Sequence, residues 1–222
     1  MIDVLEVDGV MLAFGNKRVL QNVYLKSETG KITGVLGRNG AGKSSLFKIA
    51  FGELRAGSQS VRLNGIAYTS DKRSPEDIRY LPQHHFVPQQ LSLTRVLNDF
   101  ELSFADFLDI FPDFEQYRQG KMYTLSSGQR RIVETFIILS SNSKFCILDE
   151  PFSQIMPVHI SAIKRMIMQE KKQKGIIISD HMYRHILDLS DNLYVISQGK
   201  THLTQDISDL GALGYVRNQQ KS

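Results

Sequence analysis

Residues 37–45 read GRNGAGKSS, an ungapped G-x-x-x-x-G-K-[S/T], and few nine-residue stretches restrict a fold so tightly. Gly37, Gly40 and Gly42, with Asn39 and Ala41 between them, let the backbone curl until consecutive N–H groups face one point. Lys43, Ser44 and Ser45 then open a helix whose positive end faces the same point. A chain of phosphates satisfies such a cradle: Lys43 reaches the outer phosphates, and the Ser44 hydroxyl can ligate Mg²⁺. Before the loop, ITGVLG at 32–37 is an apolar run suited to a buried strand. After it, Leu46, Ile49 and Ala50 recur at helical spacing. Strand, glycine loop and helix in immediate succession begin an α/β unit.

A second apolar run, FCILDEPFSQ at 145–154, stops at two adjacent carboxylates. So short a run suits a strand buried on both faces, as in a parallel sheet. Neighbouring residues of a strand point to opposite faces, so Asp149 and Glu150 have different tasks. Unpaired charge is costly to bury, and a cation or a reacting group is expected at the strand's end. Asp149 is placed to complete the Mg²⁺ site, which leaves Glu150 to orient or deprotonate an attacking water.

The remaining composition narrows the setting. With 222 residues the chain suits one domain, or one domain with a small subdomain. No apolar stretch reaches the roughly 18–20 residues that cross a bilayer, and MIDVLEVDGV lacks the basic start of a signal peptide. Cys146, the one cysteine, fits a reducing compartment, so a cytoplasmic protein is expected. The net charge of +4 is spread out, and no nucleic-acid partner is expected from it. The densest basic cluster, KKQK at 171–174, reads as the solvated end of a helix, where lysines complement the dipole.

Along the chain, VLEV, VLQNVYLKS and SVRLNGIAY read as strands of an N-terminal β-rich part, with Asn64-Gly65 as a hairpin turn. TRVLNDFELSFADFLDIF has helical periodicity with Pro112 as a stop, and GQRRIVETFIIL puts Ile132, Val133, Phe136 and Ile137 on one helical face. The last third alternates again: HISAIKRMIMQEKKQK as a helix ended by Gly175, GIIIS as a strand, HMYRHILDLS as a helix and LYVISQG as a strand. The terminal RNQQKS is expected to fray. His181 and His185 stand in H-x-x-x-H spacing without the companions of a zinc site, and His84 and His85 read as surface residues of a loop.

Further short stretches carry a resemblance. YLPQ at 80–83, LSSGQRR at 125–131, LDEP at 148–151 and SDH at 179–181, together with GRNGAGKSS and in this order, resemble the nucleotide-binding subunit of ATP-binding cassette (ABC) transporters. The resemblance covers nearly the whole chain. It implies an α/β fold: a P-loop NTPase core with an N-terminal antiparallel β-subdomain and a short helical subdomain inserted in the middle. Within a single domain of residues 1–222, core and β-subdomain would occupy about 1–83 and 143–222, and the helical part 84–142. It further implies ATP and Mg²⁺ as ligands, with Phe14 under the adenine and residues 37 and 39–45 around the phosphates. Ser44, Gln83 and Asp149 would hold the metal, with Lys43, Gln83, Glu150 and His181 catalytic. Ser126, Ser127, Gly128 and Gln129 would cap the nucleotide of a second, identical or homologous subunit. An integral membrane transporter subunit is the other implied partner, with this chain held through it on the inner face of the cell membrane. The C-terminal half looks most like the subgroup of the lipopolysaccharide-export and branched-chain amino-acid transport ATPases.

Three departures from the family pattern stand out. Ser127 replaces a glycine, Met156 stands where an aspartate is expected after DEPFS, and the helical insert is short. Met156 puts coupling between the two sites of a dimer in question and keeps open a degenerate, ATP-binding partner subunit. A soluble ABC ATPase of the iron–sulfur assembly type is a further alternative at this point.

Overall fold

ITGVLG, FCILD and GIIIS show no polar alternation, and in the computed structural model each is a strand buried on both faces. The structure describes residues 1–69, 72–204 and 211. Two sheets form the frame. The first is antiparallel and four-stranded, built from β1 (Val4–Phe14), β2 (Lys17–Glu28), β4 (Ser58–Leu63) and β5 (Ile66–Ala67) in the order β2-β1-β4-β5. The second holds β3 (Ile32–Gly37), β6 (Ile78–Leu81), β7 (Phe145–Asp149), β8 (Gly175–Ser179), β9 (Asn192–Ser197) and β10 (Lys200–Thr204), in the order β10-β9-β3-β8-β7-β6. All its pairings are parallel except the terminal hairpin β9-β10. This is the expected α/β class, with the four-stranded antiparallel sheet built from the N-terminal part.

Helix α1 (Lys43–Phe51) is sandwiched between the sheets, and Leu46, Phe47, Ile49 and Ala50 are buried there with Val7, Val23 and Ile147. The opposite face of the parallel sheet carries α4 (Ser127–Ser140), α5 (Pro157–Glu170) and α6 (Tyr183–Leu189). Between β6 and β7 the chain is helical: α2 (Leu93–Asp99), α3 (Phe104–Ile110), two short 3₁₀ turns at Pro112–Tyr117 and Met122–Thr124, then α4. The Asn64-Gly65 turn has positive φ at both residues, 53° and 77°, the geometry of the tight hairpin that the dipeptide predicts.

Several expectations need correction. The apolar pattern over 94–111 predicts one helix, but Glu101 adopts φ 58° and Ser103 caps a fresh helix by accepting from the Asp106 N–H. Side-chain periodicity does not register a break that a serine cap repairs within one turn. Pro112 falls just after α3 as the expected stop and also starts a 3₁₀ turn, since its missing N–H costs nothing at a first position. The lysine cluster is a solvated helix end only in part: Lys171 caps the helix and Lys172 and Gln173 are exposed, but Lys174 departs from that reading. Helix α5 stops at Glu170, and Lys174 is buried, with its ammonium donating to the carbonyls of Leu139 and Ser141 and paired with Glu170. It therefore caps the C-terminus of α4. The RNQQKS segment lies outside the described residues.

The helical segment is held by aromatic rings. Phe107, fully buried, packs against Phe111, Phe114 and Phe136 with centroids 5.3, 5.1 and 5.0 Å away. Phe107→Ala is expected to lower stability by about 3–5 kcal/mol in urea denaturation; a loss below about 1 kcal/mol would mean that the cluster does not hold this segment.

Candidate functional site

The cradle forms where β3 ends. Gly42 caps α1 with φ 104°, and a Cβ there would press on Leu20 and Val19 of β2 at 2.7 and 2.9 Å. Both the backbone angle and the close approach require glycine. The N–H groups of the first turn of α1 thus point into a cleft of ≈ 550 Å³ lined by Phe14, Asn39 to Ser45, Gln83, Glu150 and His181. Phe14 stands exposed at the rim, at the tip of the β1-β2 hairpin. Lys43 is buried behind the loop, its ammonium 2.7 Å from the Gly37 carbonyl. Burial lowers its pKa while Glu150, Asp149 and Asp180 oppose that shift, so three carboxylates hold the cation in place.

The carboxylates sit where the sequence puts them, at the end of β7, and their environments differ. Asp149 is fully buried beneath the cleft. Tyr80 donates to its Oδ2 at 3.3 Å and Ser44 also hydrogen-bonds to it, yet burial raises its pKa. Its Oδ1 is buried without a hydrogen-bond partner among the described residues. A buried carboxylate oxygen left open beside a serine hydroxyl and below a phosphate cradle fits Mg²⁺, which takes one or two carboxylates and completes its shell with phosphate and water. Gln83 is exposed at the same rim. Ser44 and Asp149 are the residues whose surroundings fit the ion.

Glu150 turns the other way. Its backbone is in the left-handed region, φ 59°, which is uncommon for a non-glycine residue and needs support from its surroundings. Its N–H donates to the Ser179 carbonyl at 2.7 Å, and its own carbonyl accepts from Arg131 Nε at 3.1 Å. At the other end, Oε1 accepts from Gln83 and lies 2.7 Å from His181 Nε2. Gln83, Glu150 and His181 therefore meet at one oxygen, from the ends of three neighbouring strands. Asp180, beside His181, accepts from the N–H groups of Phe152 and Met182, both at 2.9 Å, and burial raises its pKa.

Ser126, Ser127, Gly128 and Gln129 do not line this cleft. They begin α4 as a capping box: Ser126 accepts from the Gln129 N–H, and the Gln129 side chain accepts from the Ser126 N–H. Gly128 is required by contact, since a Cβ would collide with the Gln154 carbonyl. Met156 caps α5 with no side-chain acceptor and is exposed; aspartate at such a position would add about 1 kcal/mol to the helix. His181 and His185 diverge, the first toward Glu150 and the second edge-on to Phe152 with centroids 5.4 Å apart.

Residues that the motifs did not single out organise the site. Arg131, almost wholly buried, donates to the carbonyls of Pro82 (2.5 Å), Asp149 and Glu150. It joins the end of β6 to the end of β7. His85 is not a free surface residue: its Nδ1 lies 2.8 Å from the fully buried Glu134 and its Nε2 2.9 Å from Ser127 Oγ. The signal that could have found them is Glu134 itself, a lone carboxylate within the apolar run RIVETFIIL, where a buried charge demands partners.

Comparison with known proteins bears on these features. The family described as ABC transporter matches residues 20–153. The lipopolysaccharide export system ATP-binding protein LptB of Haemophilus influenzae is 30% identical over 225 residues, covering 90% of this chain and 89% of that protein. The protein of that name from Escherichia coli strain K12 is 30% identical over 212 residues, 84% of each chain. A solved ATP-binding subunit of an ABC transporter superposes with a TM-score of 0.79 at 23% identity, covering 96% of this chain and 94% of that one, a likeness of fold. Among the described residues no helix is long and apolar enough to cross a membrane.

The raised pKa of Asp149 has a consequence for stability. A carboxyl that holds its proton more firmly when folded favours the folded chain as pH falls and opposes it at neutral pH, where the buried carboxylate is ionised. Asp149→Asn is therefore expected to raise the melting temperature of the nucleotide-free chain at pH 7.5, by about 2–4 °C per kcal/mol relieved. The gain should shrink as the pH is lowered through the raised pKa of the carboxyl. A gain that stays constant in thermal melts down to the pH at which a free aspartate is protonated would contradict this account.

Proposed function

Since the chain belongs to the ABC transporter family as an ATP-binding subunit, we propose that it hydrolyses Mg-ATP at a site completed by a second copy or a homologous subunit. The observation that carries this reading is the meeting of Gln83, Glu150 and His181 at one carboxylate oxygen on the rim of the phosphate cradle.

Each residue then has a task. Phe14 offers its exposed ring to the adenine. The N–H groups from Gly40 to Ser45 take the phosphate oxygens, and the Lys43 ammonium exchanges the Gly37 carbonyl for the outer phosphates. Ser44 and Asp149 would hold Mg²⁺, joined by Gln83 once its amide leaves Glu150, and the ion would neutralise charge during phosphoryl transfer. Glu150 orients a water toward the terminal phosphorus and accepts its proton as the bond to the leaving ADP oxygen breaks. His181, on the same oxygen of Glu150, steadies the charge that develops on the phosphoryl group. Ser126 and Ser127 stand exposed, with Gly128 and Gln129 half-buried beside them and all four away from this cleft, which supports their action on the nucleotide of the other subunit. Two such faces meet by C₂ symmetry, and ATP then stabilises the closed pair because neither face alone surrounds it.

The likeness to proteins named for lipopolysaccharide export supports a membrane-embedded partner on a separate chain, with this subunit cytoplasmic and held on the inner face of the membrane. The cleft lined by Phe51, Tyr80, Phe86 and Phe100, with Arg73 and Arg79 beside them, is the surface assigned to that partner. It adjoins the Gln83 loop, and residues 84–142 form the helical part that borders it.

Glu150→Gln tests the chemistry. ATP turnover should fall at least about 100-fold, while sedimentation in Mg-ATP should show the variant as a dimer. A variant that stays monomeric at saturating Mg-ATP, or that hydrolyses ATP at the parent rate, would overturn the reading.

A further inference from the structure

The loop from Pro82 to Val87 is fastened to α4 along its length. Arg131 takes the Pro82 carbonyl at 2.5 Å, and Glu134 accepts from the N–H groups of Phe86 at 3.0 Å and Val87 at 3.3 Å. His85 adds the contacts to Glu134 and to Ser127. The three helix residues involved, Ser127, Arg131 and Glu134, fall at i, i+4 and i+7, a single stripe of the helix surface. With Glu134 an acceptor here, as it is for the Phe86 and Val87 N–H groups, the His85 proton sits on Nδ1. In the neutral ring Nε2 is then an acceptor for the Ser127 hydroxyl.

Of these fastenings, only the bond from His85 to Ser127 reaches the first turn of α4. Arg131 and Glu134 grip the helix one and two turns further along. Gln83, two residues before His85, bonds to Glu150 in the chain's own cleft, while Ser127 belongs to the exposed turn that the functional reading gives to the other subunit's nucleotide. The contact depends on a hydroxyl at position 127, so a glycine there would remove it.

We propose that His85 is a positioning residue that ties the Gln83 loop to the Ser126–Gln129 turn, so that the chain's own ATP site and the surface capping its partner's ATP move as one body. This rests on the functional reading above. Displacing Gln83 shifts the capping turn, and seating the capping turn on a nucleotide moves Gln83 relative to Glu150. The buried Glu134 holds the ring, and Ser127 receives the displacement.

The test is a double-mutant cycle in the full-length Glu150→Gln chain, read as ATP-driven self-association by sedimentation. His85→Asn keeps a donor near Glu134 and cannot reach Ser127. It should leave the melting temperature within about 2 °C of the parent and weaken the ATP-bound dimer about tenfold. In a Ser127→Gly background the same substitution should cost less than about twofold. A dimer that forms with unchanged affinity in His85→Asn, or losses that simply add with Ser127→Gly, overturn the proposal while leaving the functional reading intact. A Glu150→Gln chain that shows no ATP-driven dimer overturns that reading, and the proposal falls with it.

Discussion

The turn that leaves β7 depends on one guanidinium. Arg131 gathers the carbonyls of Pro82, Asp149 and Glu150, and a buried carbonyl that loses its donor costs about 1–3 kcal/mol. Arginine can do this because its donors form a fixed fork and its charge survives burial. Its pKa is lowered by desolvation, but Glu134, Asp149, Asp180 and Glu150 all surround and oppose that shift. With the turn fixed, Glu150 keeps its left-handed backbone and Asp149 stays in the floor. The two carboxylates, both buried, then point in different directions, Asp149 into the floor and Glu150 toward Gln83 and His181.

The sheet supplies the convergence. β3, β6, β7 and β8 run parallel, so the cradle, Gln83, Glu150 and His181 all emerge at the same carboxyl edge, where open α/β sheets bind their ligands. Residues far apart in the chain, Gln83, Glu150 and His181, thus meet around one oxygen. The exposed turn at the start of α4 belongs to a different face, and His85 connects the two through side chains only.

The sequence made the cradle and the carboxylate pair legible because both are local: glycines and a lysine at fixed spacing, and an apolar run that ends in charge. Likewise the doubly buried strands were readable from their lack of alternation. What escaped was long-range. Nothing near Lys174 in the chain shows that it caps α4, and KKQK has the composition of a solvated face. Arg131 looked like one more polar residue at a helix start, and His85 like a loop histidine, because their partners lie 18 to 49 positions away. The break at Glu101 was hidden for the opposite reason: the apolar spacing on both sides of it is compatible with a single helix, and only the serine cap at Ser103 betrays the restart. Met156 is legible as a departure, yet it leaves the Gln83–Glu150–His181 meeting point complete, which weighs against a degenerate subunit.

The most direct test is a crystal structure of the Glu150→Gln chain grown with Mg-ATP. The account predicts the triphosphate on the N–H groups of residues 40–45, the metal between Ser44 and Asp149, and the Ser126–Gln129 turn of a second copy over the terminal phosphate. A triphosphate bound elsewhere, or a metal without contact to Asp149, would contradict it.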